Sequence, residues 1–316
     1  MSSKGKTPSA KPANGNKLAA KNNGGPGRLF GRTDELSQVR ACLKAKRNVL
    51  LEGPVGVGKT HLALAVTQEL GIPVFRVDGD SRYSEQKLSG WFDPPTVIKK
   101  GFGKEAFVPG PLVEAMQEGG ILFINELNRL PEGVQNILLP AIDERMILVP
   151  RLGEIRAKDG FLVIATQNPK EFVATSHLSE AILDRFELVV LDYQTEEEEL
   201  QIVSERIEPK GSDEKSLALA AVRIARMTRE HSKIRRGASV RAALSVAEIG
   251  AVFLRQGMSL EEAFLKAVIL ALPTRIEMEH ETESAREARS ELESTLKEWA
   301  RSVLDELSSP GVKKKP

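Results

Sequence analysis

The chain has 316 residues, of which 41% are hydrophobic and only 5% are aromatic. This length suits one large domain or two of moderate size, with cores filled mainly by aliphatic side chains. Lysine and arginine number 45, aspartate and glutamate 44, and the net charge is +1. A global attraction to nucleic acid is therefore not indicated. The single Cys42 excludes an intrachain disulfide, and no apolar run approaches the roughly 20 residues that span a bilayer. We expect a soluble, cytoplasmic protein without a membrane span.

The two ends of the chain differ in composition from the rest. The first 28 residues carry lysine and arginine but no acidic residue, and they have almost no large apolar side chain. Such a segment cannot bury enough surface to offset the entropy lost on ordering. We predict a disordered basic tail over residues 1–28 and a second tail over residues 309–316. The first is either a solvated tail or an electrostatic tether to an acidic partner.

Between the tails, short apolar runs alternate with helical patterns such as Thr60–Leu70 and Gly133–Asp143. The runs show no polar alternation, which is typical of strands covered on both faces of a parallel sheet. Strands and helices in repeated succession predict an α/β fold with a parallel sheet flanked by helices, which we place at residues 29–193. The five candidate strands are Asn48–Leu51, Val74–Val77, Ile121–Ile124, Phe161–Ala165 and Leu188–Leu191.

After Tyr193 the pattern becomes helical. The acidic run Glu196–Glu199 opens a helix at its positive end, and no strand is predicted from there to Leu307. We therefore predict an all-helical second domain over residues 194–308. Its last stretch, Glu283–Leu307, spaces apolar residues along one helix face. That helix either packs on its own domain or binds a partner.

A glycine-rich segment follows the first candidate strand and precedes the first helical pattern. Its spacing, GxxxxGK[ST], lets backbone N–H groups converge on phosphates at a helix N-terminus. In this pattern Lys59 reaches the β- and γ-phosphates, and the Thr60 hydroxyl ligates magnesium. We predict that ATP binds here with Mg2+. The predicted nucleotide-binding residues are Gly53, Pro54, Val55, Gly56, Val57, Gly58, Lys59, Thr60 and His61.

The strand Ile121–Ile124 ends in Asn125 and Glu126, at a position where P-loop proteins usually have Asp-Glu. The glutamate of such a pair polarises the attacking water, so Glu126 is the predicted catalytic base. An amide at position 125 accepts a hydrogen bond from metal-bound water but brings no negative charge. We assign Thr60 and Asn125 to the metal. Two outcomes stay open: weaker magnesium affinity with hydrolysis retained, or nucleotide binding with little turnover.

The motifs around this site resemble those of the AAA+ ATPases, and within them those of the MoxR family. The resemblance runs from about Phe30 to about Leu272. It implies an AAA+ P-loop core followed by a helical lid domain. The sequence departs from the family pattern at Asn125, which replaces aspartate, and at Val240, which replaces proline. The matching segments are FVPGPL at 107–112, NELNRLP at 125–131, the helix at 133–145, ATQNP at 165–169, EAILDRF at 180–186 and GASVRA at 237–242.

The resemblance implies roles for three further residues. Asn168 would orient the lytic water, although an asparagine before proline also predicts a simple turn. Arg185 would be an arginine finger offered to the nucleotide of the neighbouring subunit; without the motif, Asp184 and Arg185 suggest an ion pair at a helix end. Arg241 would reach the γ-phosphate from the lid, and without the motif it belongs to a solvated basic stretch. The predicted catalytic set is Lys59, Glu126, Asn168, Arg185 and Arg241.

Two insertions, at residues 89–107 and 146–157, are predicted to form hairpins. In the first, apolar side chains surround a turn at Gly101 and Gly103, namely Val97, Ile98, Phe102 and Phe107. Composition leaves open whether either insertion is a plain surface loop. The resemblance implies loops that move with the nucleotide and push on a substrate.

The resemblance also implies a homo-hexameric ring that binds ATP between core and lid and remodels or activates a partner protein in a chaperone-like manner. Family members often work beside a protein with a von Willebrand factor A domain, which here would have to come from another chain. Two alternatives remain. One is a nucleotide-gated assembly scaffold with little turnover. The other is an AAA+ motor acting on nucleic acid, against which the near-neutral charge weighs.

Overall fold

The computed structural model describes residues 17–18, 29–168, 178–232, 234–278 and 285–308. The chain divides into two compact units. The first unit comprises Met1–Gly53 and Gly58–Leu191, and the second comprises Pro54–Val57 and Asp192–Pro316. Most of the two predicted tails lies outside the described residues.

The first unit contains strands and helices in alternation. Its strands are β1 (Lys17–Leu18), β2 (Asn48–Glu52), β3 (Val74–Asp78), β4 (Gly90–Phe92), β5 (Phe107–Pro109), β6 (Ile121–Asn125), β7 (Met146–Val149), β8 (Gly153–Arg156), β9 (Leu162–Gln167) and β10 (Phe186–Val190). Its helices are α1 (Thr33–Lys44), α2 (Lys59–Glu69), α3 (Glu85–Ser89), α4 (Pro94–Lys100), α5 (Pro111–Glu118), α6 (Glu132–Asn136), α7 (Leu138–Asp143) and α8 (Glu180–Leu183).

The main sheet of this unit has six strands in the order β1-β3-β6-β9-β2-β10. Every neighbouring pair is parallel except β1 with β3, which is antiparallel. All five predicted strands are present, so the predicted α/β class is confirmed. Residues 121–124 of β6 are fully buried, as an apolar run without alternation predicts for a strand covered on both faces. Because β9 lies between β2 and β6, the carboxyl ends of these three parallel strands are adjacent.

The predicted helix Gly133–Asp143 is present in two pieces. Helix α6 ends at Asn136 and α7 begins at Leu138. Pro140 explains the interruption, because it has no N–H group to donate to the carbonyl of residue 136 and its ring crowds that carbonyl.

The first insertion differs from the predicted hairpin. Strands β4 and β5 do pair antiparallel, but Val97 and Ile98, predicted to flank the turn, lie in helix α4. The helix forms because Asp93 caps its N-terminus, accepting a hydrogen bond from Thr96 N at 3.1 Å, and because prolines suit the first turn.

The second predicted hairpin is confirmed. Strands β7 and β8 pair antiparallel, with Met146 opposite Arg156. The turn between them carries Arg151 with a positive φ of 66°, and Gly153 with a φ of 93°. Glycine adopts such a backbone conformation without steric cost.

The second unit is mainly helical. Its elements are α9 (Glu196–Ile207), α10 (Ser212–Glu230), β11 (Ile234–Arg236), α11 (Val240–Arg255), α12 (Leu260–Ala271), β12 (Glu277–Met278) and α13 (Ala285–Ser308). The prediction that no strand follows Tyr193 is wrong in one detail, because β11 and β12 form a short antiparallel pair. Both strands are too short and too charged to show the apolar pattern of a buried strand.

Alanine fills much of the core of the second unit. Ala221, Ala243 and Ala267, from α10, α11 and α12 respectively, are fully buried in one apolar cluster. Small side chains let helix backbones approach closely, and at Gly250 a Cβ atom would lie 2.7 Å from Leu217 Cδ1. An added side-chain atom at position 250 would therefore have to displace the Leu217 side chain.

The first and last helices of this unit agree with the sequence prediction. The acidic start of α9 carries a capping box, in which Thr195 Oγ1 accepts from Glu198 N at 3.2 Å and the Glu198 carboxylate accepts from Thr195 N at 3.1 Å. In α13, Leu296 and Val303 are buried in the core of the same unit. Packing of this helix on its own domain is therefore confirmed.

Candidate nucleotide and magnesium site

The glycine-rich segment connects β2 to α2. Gly56 and Gly58 have positive φ angles of 82° and 95°, which residues with side chains rarely adopt. Helix α2 begins at Lys59, and the N–H groups and positive dipole end of a helix N-terminus favour anions. Lys59 Nζ donates a hydrogen bond to the Gly53 carbonyl at 2.6 Å. A strand, a glycine loop and a helix N-terminus thus occur in the order that phosphate binding requires.

Within the second unit, Gly56 packs against the start of α11. A Cβ atom at position 56 would collide with Ser239 Oγ and would lie 3.9 Å from Arg241 Cδ. Position 56 therefore requires glycine for space as well as for its backbone conformation. The same contact puts Arg241, one of the predicted phosphate contacts, beside a residue of the glycine-rich segment.

Asn125, the last residue of β6, connects three elements of the first unit. Its Oδ1 atom accepts hydrogen bonds from Thr60 Oγ1 at 3.2 Å and from Thr166 Oγ1 at 3.1 Å. Thr60 lies at the start of α2, and Thr166 lies in β9, the strand between β2 and β6. The two residues predicted as metal contacts, Thr60 and Asn125, are therefore in direct contact.

Glu126 follows with a left-handed backbone, at φ 61° and ψ 57°. Its N–H donates to Thr166 Oγ1 at 2.9 Å, so one hydroxyl fixes both Asn125 and Glu126. Residues with side chains in this conformation cost free energy and are often found at functional sites. The Glu126 carboxylate is 3.2 Å from Arg129 Nε and remains 31% exposed. An exposed pair of this kind is weak, and the carboxylate is accessible to water.

Asp78 lies beside Asn125, although the sequence did not single it out. Strands β3 and β6 pair with Asp78 opposite Asn125, and Asn125 Nδ2 donates to Asp78 Oδ1 at 3.2 Å. Gly79 permits this approach: its N–H donates to the Asn125 carbonyl at 2.7 Å, and a Cβ there would collide with the Glu126 carbonyl. Asp78 and Thr166 could have been found from their place at carboxyl ends of predicted strands, where open α/β sheets bind ligands.

Asn168 and Arg185 lie near the ends of β9 and α8. Asn168 directly follows β9 and is only 7% exposed, while residues 169–177 lie outside the described residues. The Arg185 guanidinium binds the Asp143 carboxylate through Nε at 2.7 Å and Nη2 at 2.6 Å. This hydrogen bond raises the pKa of Arg185. An intrachain ion pair therefore exists, but with Asp143 rather than with Asp184.

The two insertions contact one another through an aromatic ring. Phe92 and Phe102 pack edge to face with 5.2 Å between ring centroids. The Arg151 guanidinium of the β7–β8 turn lies over the Phe102 ring at 3.9 Å, a favourable cation–π distance. Ile98 and Leu148 are 86% and 72% exposed. The insertions thus present apolar side chains to solvent from two linked elements.

Magnesium is the metal that the resemblance implies, and the side chains at the start of α2 fit it. A threonine hydroxyl and an amide oxygen are hard oxygen donors, which magnesium prefers. Within the described residues, no group of three or more His, Cys, Asp or Glu could hold a metal ion by itself. The donor set at Thr60 and Asn125 therefore suits a magnesium ion that keeps several waters and shares nucleotide phosphates.

Residues 48–186 match the family model of the AAA domain, dynein-related subfamily. Among curated proteins, one from Staphylococcus epidermidis is 35% identical over 156 residues, covering 49% of this chain and 59% of the relative. One from Staphylococcus aureus is 34% identical over 159 residues, covering 50% and 60%. Both relatives are described as uncharacterized proteins. The chain spans about three fifths of the length of these relatives.

Solved structures with the same fold include a RuvB mutant from Thermotoga maritima, which is 18% identical with a TM-score of 0.54 and covers 78% of this chain and 72% of that one. NtrX from Brucella abortus, in complex with ADP, is also 18% identical, with a TM-score of 0.53 and coverage of 88% and 64%. Together with the sheet order, these matches give the chain the AAA+ P-loop fold followed by a helical region. None of the described helices is long and apolar enough to cross a membrane.

Proposed function

We propose that the chain is a MoxR-type AAA+ ATPase, which forms a homo-hexameric ring and couples ATP hydrolysis to remodelling or activation of a partner protein. The observation that carries this proposal is the hydrogen-bonded set of Thr60, Asn125, Thr166 and Glu126, in which Thr166 connects Asn125 to Glu126. These hydrogen bonds hold the Thr60 hydroxyl against the Asn125 amide at the N-terminus of α2. They also fix the backbone of Glu126, which bears the carboxylate, at the same strand end. The matched AAA domain at residues 48–186 supports the same conclusion.

In the proposed mechanism, the ATP phosphates bind the N–H groups of the glycine-rich segment and the Lys59 ammonium. Thr60 and Asn125 would hold the magnesium ion that accompanies ATP, and this ion would offset phosphate charge. Glu126 accepts a proton from the attacking water. Asn168, buried next to this strand end, orients that water.

Two arginines complete the proposed site. Arg241 contacts the γ-phosphate, a role supported by its position next to Gly56. Arg185 acts on the nucleotide of the neighbouring subunit, where it stabilises negative charge that develops during transfer. Under this proposal the ion pair of Arg185 with Asp143 must open or rearrange when subunits meet. The two side chains are 28% and 40% exposed, so breaking the pair costs little free energy.

The partner is proposed to be a protein. The two linked insertions expose Ile98 and Leu148, and exposed apolar side chains suit contact with a protein client. Arg151 contacts the Phe102 ring, and through this contact the two insertions are proposed to move together. A protein with a von Willebrand factor A domain, encoded separately, is the adaptor that the family resemblance favours.

A second candidate is a nucleotide-gated scaffold that assembles with ATP and hydrolyses it very slowly. Asn125 is the observation that favours it, because the amide brings no negative charge to the metal. Both candidates require nucleotide binding, and they differ only in turnover.

Steady-state ATPase assays on the full chain distinguish the two candidates. We expect Glu126→Gln to lower turnover roughly 100-fold or more while ATP binding persists, because general-base catalysis contributes on that order. Glu205→Gln, at an exposed position on α9, is the matched control and keeps wild-type turnover. A wild type no faster than Glu126→Gln at saturating magnesium would rule out the ATPase and leave the scaffold.

Subunit mixing tests the ring and the trans position of Arg185. We expect Arg185→Ala to bind ATP without turnover, and mixing with Lys59→Ala subunits to restore part of the activity. Mixed rings contain some interfaces where an intact Arg185 faces an intact Lys59. Arg206→Ala, which removes an exposed arginine paired with Glu248, is the control. Mixed rings that form but stay inactive would contradict the assignment of Arg185.

The class of partner is tested separately. ATP turnover that is stimulated by DNA and weakened by salt would indicate a nucleic-acid partner instead of a protein.

A further inference from the structure

We propose that Asp78 supplies, through Asn125, the negative charge that an aspartate at position 125 would otherwise bring to nucleotide-bound magnesium. The proposal rests on the proposed function for the presence of MgATP. It gives the neighbouring strand β3 a part in the metal site. Asp78 is a positioning residue in this scheme, because it acts on Asn125 and does not ligate the metal.

The hydrogen bonds around Asn125 define its orientation. A carboxylate only accepts hydrogen bonds, so Asp78 Oδ1, 3.2 Å from Nδ2, fixes the NH2 group toward β3. The carbonyl oxygen then faces Thr60 Oγ1 at 3.2 Å, on the side of α2. A hydrogen bond to a charged acceptor polarises the amide and increases the negative partial charge on its oxygen. The oxygen next to Thr60 is therefore a stronger acceptor than that of an isolated amide, both for the Thr60 hydroxyl and for a magnesium-bound water that would take its place.

The pairing of strands also explains why only one of these two positions is acidic. Residues 78 and 125 lie opposite one another on β3 and β6. Carboxylates at both positions would stand within about 4 Å, where like charges disfavour ionisation of the pair. An acid at 78 and an amide at 125 keep one negative charge and one bridging hydrogen bond. The Asp78 side chain is 60% exposed, so water stabilises its charge.

Arg76 limits this effect, because its guanidinium binds both Asp78 oxygens, with Nη2 2.7 Å from Oδ1 and Nε 3.0 Å from Oδ2. Two-point geometry makes this pair stronger than most surface pairs, but at 33% exposure for Arg76 and 60% for Asp78 it is still screened by salt. Arg76→Gln removes the competing cation and leaves the contact with Asn125 in place. We expect this variant to need about 2-fold less magnesium than wild type for half-maximal nucleotide binding.

The test is a binding measurement, independent of hydrolysis. Binding of a fluorescent ATP analogue to the full chain is titrated with magnesium, with a magnesium-free baseline in EDTA. We expect Asp78→Asn to raise the half-saturating magnesium concentration about 5-fold, because the lost charge acts through partly aqueous surroundings. Asp80→Asn is the matched control: this carboxylate binds Arg82 at 3.0 Å and should keep the wild-type magnesium dependence.

A double exchange separates charge from structure. Asp78→Asn combined with Asn125→Asp returns the acid to β6, and we expect it to restore the wild-type magnesium dependence or improve on it. Circular dichroism verifies that each variant is folded. Wild-type magnesium dependence in folded Asp78→Asn, or a double exchange as weak as Asp78→Asn, would overturn the role of Asp78. A wild type that binds no nucleotide would instead overturn the proposed function and this inference with it.

Discussion

The carboxyl ends of β2 and β6 belong to the same candidate site, but they are built differently. At the end of β2, polar contacts come from the backbone of a glycine-rich segment and from Lys59, which folds back onto the Gly53 carbonyl. At the end of β6, they come from side chains of neighbouring strands. Thr166 and Asp78 both bind Asn125 there.

This difference bears on which sequence changes each strand end tolerates. Backbone N–H groups have no substitute, so the β2 end depends on glycines at fixed spacing. Side chains from neighbouring strands can supply the same charge from different positions. The acidic group at the β6 end can therefore come from β3, as Asp78 does. Substitutions at Lys59, Gly79 and Thr166 test whether the two ends differ in this way.

Lys59→Ala affects the β2 end alone and has the largest expected effect. Hydrogen bonds to charged groups contribute roughly 1.5–3 kcal/mol each, so we expect ATP affinity to fall about 100-fold. Equilibrium titration with a fluorescent ATP analogue measures this. Lys44→Ala, at an exposed position near the end of α1, should keep wild-type affinity. An unchanged affinity in Lys59→Ala would remove this lysine from the phosphate site.

Gly79→Ala affects the β6 end through its neighbouring strand. The new Cβ collides with the Glu126 carbonyl, and backbone cannot yield as a flexible side chain does. We expect the free energy of unfolding to fall by about 2 kcal/mol, as measured by urea denaturation. Gly103→Ala is the control, because a Cβ there has nothing within 4 Å. Equal stability of the two variants would show that β3 and β6 need no such close approach.

Thr166→Val has the smallest expected effect and tests the side-chain network itself. The change keeps the shape of a fully buried residue but removes the hydroxyl that binds Asn125 Oδ1 and Glu126 N. We expect the free energy of unfolding to fall by about 1 kcal/mol. Thr166→Ser retains the hydroxyl and should lose less in thermal or urea denaturation. If valine is tolerated better than serine, packing outweighs these hydrogen bonds.

Much of the fold could be predicted because its signals are local. Each strand of the parallel sheet is a continuous apolar run, such as the fully buried residues 121–124, and needs no distant information. The sequence prediction was wrong where one or two residues determine the local secondary structure. The Asp93 cap made a helix in the first insertion, and Pro140 interrupted another. Strands β11 and β12 owe their existence to each other rather than to an apolar pattern.

The candidate site could be predicted only in part for a related reason. The glycine-rich segment is contiguous, so its spacing is visible in the sequence. Asp78 and Thr166 are 47 and 41 residues from Asn125 along the chain, and only the pairing of parallel strands brings them together. The roles of Asn168, Arg185 and Arg241 stay predictions from the resemblance.

The alanines between α10, α11 and α12 have a consequence for motion in the second unit. An alanine side chain has no rotamers, so a helix lined with alanines can slide against its neighbour without any side chain changing conformation. Larger interlocking side chains resist such shear because they must leave their wells together. In this unit Ala221, Ala243 and Ala267 share the core with larger buried side chains such as Leu217 and Phe264, so sliding is resisted wherever these larger side chains interlock and is easiest where alanines face one another.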